Sequence, residues 1–141
     1  MLNLAKQIVC DGEGAQKLIQ VNVTGANSKK SARKIGLAIA NSPLVKTAIA
    51  GGDANWGRVV MAVGKSGEKA NPDKISVCFG KTIIAEKGAV VEGYDEAPVT
   101  EHLKGREIHI TVDVGLGNGK STVWTCDLTH GYIEINADYR S

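Results

Sequence analysis

Apolar and polar positions alternate from Lys17 to Thr24, where Leu18, Val21 and Val23 stand among Gln20 and Asn22. That period of two predicts a strand. The period then lengthens. Ala32, Ile35, Gly36 and Ile39 fall at i, i+3, i+4 and i+7, one apolar helix face, and Ser28 is placed to cap it. Asn41-Ser42-Pro43 breaks that helix, and Ser42 with Pro43 can start the next element, because proline at the first helical position loses no hydrogen bond. Residues 44–50 are too few to tell helix from strand by period. Asp53 is the expected cap of a further helix carrying Trp56, Val59, Val60 and Val63 and ending at Gly64.

After Asn71-Pro72-Asp73 the pattern changes to short strands. Residues 75–79 and 82–85 flank Gly80-Lys81, the spacing of a hairpin, and Asp95 can cap a helix over 96–104 that Gly105 stops. Residues 107–114 alternate with Ile108, Ile110, Val112 and Val114 inward. A glycine-rich turn over 115–119 follows, then Trp124, Cys126 and Leu128 keep the period of two, and Ile133 and Ile135 form a last strand. At the other end, Leu4, Ala5 and Ile8 resemble the final turns of an amphipathic helix with no first turn or cap, so the natural polypeptide is expected to extend upstream of Met1.

Composition narrows the classes. At 141 residues the chain suits one compact unit, and 43% hydrophobic with 23% charged residues is ordinary for a globular protein. No stretch is apolar for long enough to span a bilayer. The net charge of +2 makes no demand for nucleic acid. Cys10, Cys78 and Cys126 lie far apart without a Cys-x-x-Cys pair, the pattern of reduced, buried thiols in a cytosolic protein.

Three polar clusters remain as candidate chemistry. Asp11-Gly12-Glu13-Gly14 puts an acid between glycines beside apolar residues, either a solvated turn or a way of presenting the Glu13 carboxylate at a strand end. Asp53, Asn55 and Arg58 stand at a helix start, as an anion site or simply a well-capped helix with a core tryptophan. The tail after Ile135 gathers Asn136, Asp138, Tyr139, Arg140 and Ser141. Lys29, Lys30, Arg33 and Lys34 form a basic helix face, with no aromatic interleaved for base stacking. His102, His109 and His130 lack metal-ligand spacing, and no nucleophile elbow, phosphate loop or Cys/His pair is visible. The glycines over 115–119 are not a dinucleotide fingerprint, since a strand follows them.

Taken together, Asp11-Gly12-Glu13-Gly14-Ala15, Asp53-Ala54-Asn55-Trp56-Gly57-Arg58, residues 40–47, and Cys126-Asp127-Leu128-Thr129-His130-Gly131-Tyr132 with residues 136–141 resemble the glutamate N-acetyltransferase / ornithine acetyltransferase family of arginine biosynthesis. The resemblance runs essentially end to end. It implies a precursor that cleaves itself before a threonine, which becomes the N-terminal nucleophile of the β chain and carries the acetyl group from N2-acetylornithine to glutamate. The family's Ala-Thr-Met-Leu cleavage motif does not occur here, so the chain resembles the C-terminal part of the β chain. Departures from the family pattern stand at Cys10, Gln16 and Gly52, where arginine, threonine and an acid are usual.

The resemblance implies an α+β fold: residues 1–70 as the final portion of an α/β/β/α-type catalytic sandwich, and 71–141 as a small strand-rich C-terminal domain ending in a substrate-binding tail. It implies substrate-binding roles for Glu13, Asn136 and Ser141, with the catalytic residues outside this chain and no metal or organic cofactor. The implied partners are the missing α chain and the N-terminal part of the β chain, in a cytoplasmic heterotetramer of two α and two β chains, with acetylornithine and glutamate as substrates and neither nucleic acid nor membrane. The competing expectation, from another class, is a stand-alone module binding phosphate or nucleic acid through the basic helix face and glycine turns.

Overall fold

In the computed structural model, residues 17–126 are described, and they form one six-stranded sheet with four α-helices. The strands are β1 (Leu18–Ala26), β2 (Ser76–Phe79), β3 (Thr82–Glu86), β4 (Ala89–Val90), β5 (Glu107–Asp113) and β6 (Gly119–Cys126). The helices are α1 (Lys29–Ala40), α2 (Pro43–Ala50), α3 (Trp56–Lys65) and α4 (Glu96–Lys104), and a single 3-10 turn covers Pro72–Lys74. In the sheet the order is β4-β3-β2-β5-β1-β6. The mixed α+β class is therefore as expected.

β1 is parallel to β5 and antiparallel to β6, with Val21 opposite Ile110 on one side and Val123 on the other. Its neighbours thus come from the far end of the sequence. The composition shift near Asn71 coincides with a change from helices to strands, while β1, from before it, and β5 and β6, from after it, share one sheet.

The alternation along the strands makes the sheet two-sided. Ile19, Val21, Val23, Val77, Phe79, Ile108, Ile110, Val112 and Val123 are buried in one core cluster, together with the Ala32, Ile35 and Ile39 face of α1. Gln20, Asn22, Thr24, His109, Thr111 and Asp113 take the intervening positions and are half-buried. Gly36 is what lets α1 lie so close to the strands. A Cβ there would stand 3.1 Å from Val123 Cγ2 and 3.5 Å from Val23 Cγ2.

Local signals set most helix ends. Ser28 Oγ accepts the Ser31 N–H at 3.0 Å, Ser42 Oγ accepts that of Val45 at 3.3 Å, and Asp95 Oδ1 accepts that of Ala97 at 3.1 Å. Residues 44–50, undecided by period, are helical, in a helix that starts at Pro43 behind its serine cap. One cap differs from expectation. Asn55, not Asp53, caps α3, its Oδ1 accepting the Arg58 N–H at 3.1 Å. Asp53 still belongs to the end of α2, because its own N–H donates to Ala48 O at 2.8 Å. α3 also runs past Gly64 to Lys65, with Ser66 as its C-cap.

Candidate functional site

The residues expected to bind substrate, Glu13, Asn136 and Ser141, all lie outside the described residues, as do Cys10, Gln16 and the strand expected over 133–135. Within them is the end of the sheet from which both flanking segments depart. Leu18, the first residue of β1, is the antiparallel partner of Cys126, the last of β6. The chain therefore enters β1 and leaves β6 side by side, about 5 Å apart as such partners are.

That end is tied to two helices. Leu18 N–H donates to Arg106 O at 2.6 Å, which fixes the start of β1 against the start of β5. One residue earlier, the Lys17 ammonium donates to Ile49 O at 3.0 Å and to Leu103 O at 2.5 Å. Both carbonyls sit in the last turns of α2 and α4, where helix carbonyls lack intrahelical donors and the helix dipole favours a cation.

α2 runs from there into the second polar cluster. Gly52 takes a positive φ of 72°, and the chain turns into α3. Asn55 Nδ2 donates to Asp53 Oδ2 at 3.2 Å, and Arg58 Nη1 reaches back to Leu44 O at 2.9 Å. Asp53 and Asn55 thus hold each other, and the Arg58 guanidinium ties the start of α3 back to the first turn of α2. Of the two readings open for this cluster, the geometry is that of a well-capped helix, with Trp56 packed against the core.

Along the sequence His102 and His109 lack metal-ligand spacing. The fold brings them together: His109 N–H donates to His102 Nε2 at 2.9 Å, and the ring centroids are 6.0 Å apart. Here β2 has ended and turned away at Gly80, whose N–H donates to His109 O at 2.8 Å, and the imidazole supplies the acceptor that a longer β2 would have offered. A Cβ on Gly80 would meet the His102 ring at 3.0 Å, so the turn needs glycine there. Burial first, and His109 second, hold the His102 pKa below its ordinary value. Its neutral form is the one that can accept.

The polar sheet face carries a hydrogen-bonded strip centred on Asn22. Asn22 Oδ1 accepts from Gln20 Nε2 at 3.0 Å and from Thr122 Oγ1 at 3.1 Å, while its Nδ2 donates to Thr111 Oγ1 at 3.4 Å. A cavity of about 600 Å³ lies towards Lys81, Glu101 and His109, and another of about 630 Å³ towards Lys120, Ser121 and Trp124; both are bordered by Asn22 and Thr111. No group of three or more metal-ligating side chains exists among the described residues.

The cysteines divide. Cys78 is a free thiol whose pKa is raised by burial, then by the Asp113 and Glu86 carboxylates, so it is a poor nucleophile. Cys126 is disulfide-bonded, which corrects the expectation of a reduced thiol at that position. Separation along the chain sets no minimum distance in space. On the basic face of α1, Lys34 pairs with Glu68 at 3.8 Å. Among the described residues no helix is long and apolar enough to cross a membrane.

Comparison with known proteins adds the following. The model of the ArgJ family matches residues 1–141. The chain is 67% identical over 141 residues to the arginine biosynthesis bifunctional protein ArgJ of Gluconobacter oxydans, covering all of this chain and 33% of that one. It is 66% identical over 140 residues to the protein of the same name from Zymomonas mobilis, covering 99% of this chain and 34% of that one. It thus spans about a third of the length of these curated relatives. Among solved structures, the crystal structure of ArgJ from Bacillus halodurans superimposes with a TM-score of 0.83 at 44% identity, over 97% of this chain and 64% of that one.

Proposed function

Because the chain belongs to the ArgJ family, we propose that it forms the C-terminal part of an acetyltransferase that moves an acetyl group from N2-acetylornithine to glutamate. In that reaction a threonine hydroxyl from the upstream part of the enzyme takes the acetyl group as an ester and releases ornithine. The glutamate amine then attacks the ester and restores the hydroxyl. This chain supplies no nucleophile. Its part is to hold substrate, with the Glu13 carboxylate set against a substrate ammonium and Asn136 and Ser141 giving amide and hydroxyl contacts.

The observation that carries this reading is the pairing of Leu18 with Cys126. Glu13 is five residues before Leu18 and Asn136 ten after Cys126, distances that extended chain spans with at most about 18 Å and about 36 Å. Two segments leaving adjacent points can meet within those reaches, so one pocket built from both ends of the chain is geometrically open. In the complete enzyme the helix-covered sheet would be one half of an α/β/β/α sandwich, and its polar face would lie towards the other half. The α chain and the N-terminal part of the β chain complete the assembly, as a cytoplasmic heterotetramer of two of each, with no metal or organic cofactor.

The test joins this chain to the upstream two thirds of the Gluconobacter oxydans relative and assays acetylglutamate formed from acetylornithine and glutamate. Transfer is expected, and Glu13→Gln should raise KM or abolish it. Wild-type kinetics in that variant would remove Glu13 from the site. Absence of transfer combined with salt-sensitive binding of nucleic acid would instead favour the small binding module.

A further inference from the structure

We propose that the cavity between α4, the β2–β3 turn and the polar sheet face binds a small zwitterion with an aliphatic body, such as a short α-amino acid. The proposal does not depend on the acetyltransferase reading. Pro98, Glu101 and His102 fall at i, i+3 and i+4, so one face of α4 borders the cavity, while Val99 and Leu103 of the same helix join the core. Gly80, Lys81 and Thr82 form a second wall, where β2 gives way to β3. The floor is the sheet itself. His109 and Thr111 stand two residues apart on one side of β5, and Asn22 is the parallel partner of Thr111 on β1.

The charges on these walls are opposite, and they do not cancel. Lys81 stands on the turn and Glu101 on the helix; both are exposed, and neither makes an ion pair among the described residues. An ammonium and a carboxylate that border one space of about 600 Å³ without closing on each other leave room for a ligand carrying the complementary pair. A simple anion is attracted by Lys81 and repelled by Glu101, and a simple cation the reverse. A zwitterion gains at both ends.

Hydrogen bonding assigns the two poles. Because His102 Nε2 accepts the His109 N–H at 2.9 Å, the neutral ring carries its proton on Nδ1, and that N–H has no acceptor among the described residues. The ring packs over Gly80, the neighbour of Lys81. On the floor, Thr111 Oγ1 accepts from Asn22 Nδ2 at 3.4 Å and keeps its own proton to donate. These donors, with the Lys81 ammonium, suit a ligand carboxylate, which leaves Glu101 for the ligand ammonium. The Pro98 ring and the methyl groups of Thr82 and Thr111 offer apolar surface to a short aliphatic chain between them.

The experiment titrates the full 141-residue chain with L-norvaline, followed by calorimetry and by amide NMR shifts. Valerate and n-pentylamine, which carry a carbon chain of the same length and one charge each, are the comparison probes. Norvaline is expected to bind with a Kd of about 1 mM or tighter and to shift the Gly80 and His109 amide signals, with the two comparison probes weaker by about ten-fold or more. Lys81→Gln and Glu101→Gln, both at exposed positions, should each weaken norvaline by about ten-fold with the melting temperature unchanged. Lys81→Gln should not weaken pentylamine, nor Glu101→Gln valerate.

Absence of saturable norvaline binding would overturn the proposal, as would equal affinity for the three probes. Wild-type affinity in both variants would do the same, since it would place norvaline elsewhere on the chain. In the joined enzyme described above, the part of norvaline binding that Lys81→Gln removes must persist; its loss would show the cavity covered by the rest of the enzyme and would overturn the proposal too. If a variant does not fold, the three probes on the unsubstituted chain decide by themselves. Acetyl transfer is scored separately, so failure of the acetyltransferase reading is a distinct result.

Discussion

Gly36→Ala isolates the close approach of α1 to the sheet, because two effects of similar size oppose each other there. Alanine is favoured over glycine in a helix interior by about 1 kcal/mol. Against this, the new methyl would stand 3.1 Å from Val123 Cγ2, short of the optimal 3.5 to 4.0 Å for carbon pairs by about half an ångström. Val23 and Val123 are both fully buried and neither can turn into solvent, so the overpacking cost should lie in the upper part of its usual range, about 2 to 3 kcal/mol. The net expectation is a destabilisation of about 1 to 2 kcal/mol, read from urea unfolding. Shortening Val123 to alanine tests the cause, since the Val123 Cβ that remains is 3.9 Å from the added methyl, an ordinary contact. In that background Gly36→Ala should stabilise by about 1 kcal/mol, which makes the coupling about 2 to 3 kcal/mol. A coupling below about 0.5 kcal/mol, or stabilisation by Gly36→Ala alone, would refute the assignment of Gly36 to helix–sheet clearance.

Other expectations can be tested in the same way. Asn55→Ala should cost about 1 kcal/mol of unfolding free energy through loss of the α3 cap and Asn55→Asp much less, whereas Asp53→Ala should cost less than Asn55→Ala. Because the folded state lowers the His102 pKa, unfolded chains bind the proton more readily. The contribution of the neutral imidazole is complete above its unfolded value of 6.5 and is lost as pH falls through the lower folded value. Unfolding free energy should accordingly fall more steeply from about pH 7.5 to about pH 5 in the native chain than in His102→Asn, and parallel profiles would show that His102 does not contribute. Gly80→Ala should destabilise by more than 1 kcal/mol, roughly, since φ is positive there and the added carbon meets the His102 ring; a neutral result in thermal melts would count against the tight turn.

The elements that were legible in the sequence are those whose signal is local. Ser28, Ser42 and Asp95 announced three helix starts, and the alternation over 107–114 sorted β5 into a buried and a polar side. Local patterns failed where two residues offered the same chemistry. Asp53 and Asn55 are both good caps; the chain closes the end of α2 through the Asp53 N–H and starts α3 two residues later, where the Asn55 side chain accepts the Arg58 N–H. They failed also for β4, whose two exposed residues are too few for any period. The candidate site was less legible than the fold. Glu13, Asn136 and Ser141 stand out in the sequence as members of polar clusters but take substrate-binding roles only through the resemblance, and nothing along the chain indicates that Lys17 reaches carbonyls 32 and 86 residues on or that His102 serves His109. Those are properties of the assembled packing.

The position of β1 between β5 and β6 has a temporal consequence. Side-chain bonds across these pairs join residues 89 and 100 apart, Thr24 to Asp113 and Thr122 to Asn22. Topologies of this kind fold in milliseconds to seconds, because distant segments must be gathered before their contacts repay the loss of chain entropy. On the ribosome the delay is longer. At about 5 to 20 residues per second, β1 emerges roughly 5 to 20 s before the strand that will lie parallel to it. For that interval its apolar side, Ile19, Val21 and Val23, lacks β5 and β6 beside it and, among the described elements, leans on α1 and the helices that follow. The hairpin of β2 and β3, by contrast, can close within microseconds of leaving the tunnel. The strand beside the β6 edge is thus synthesised before the other five and paired last.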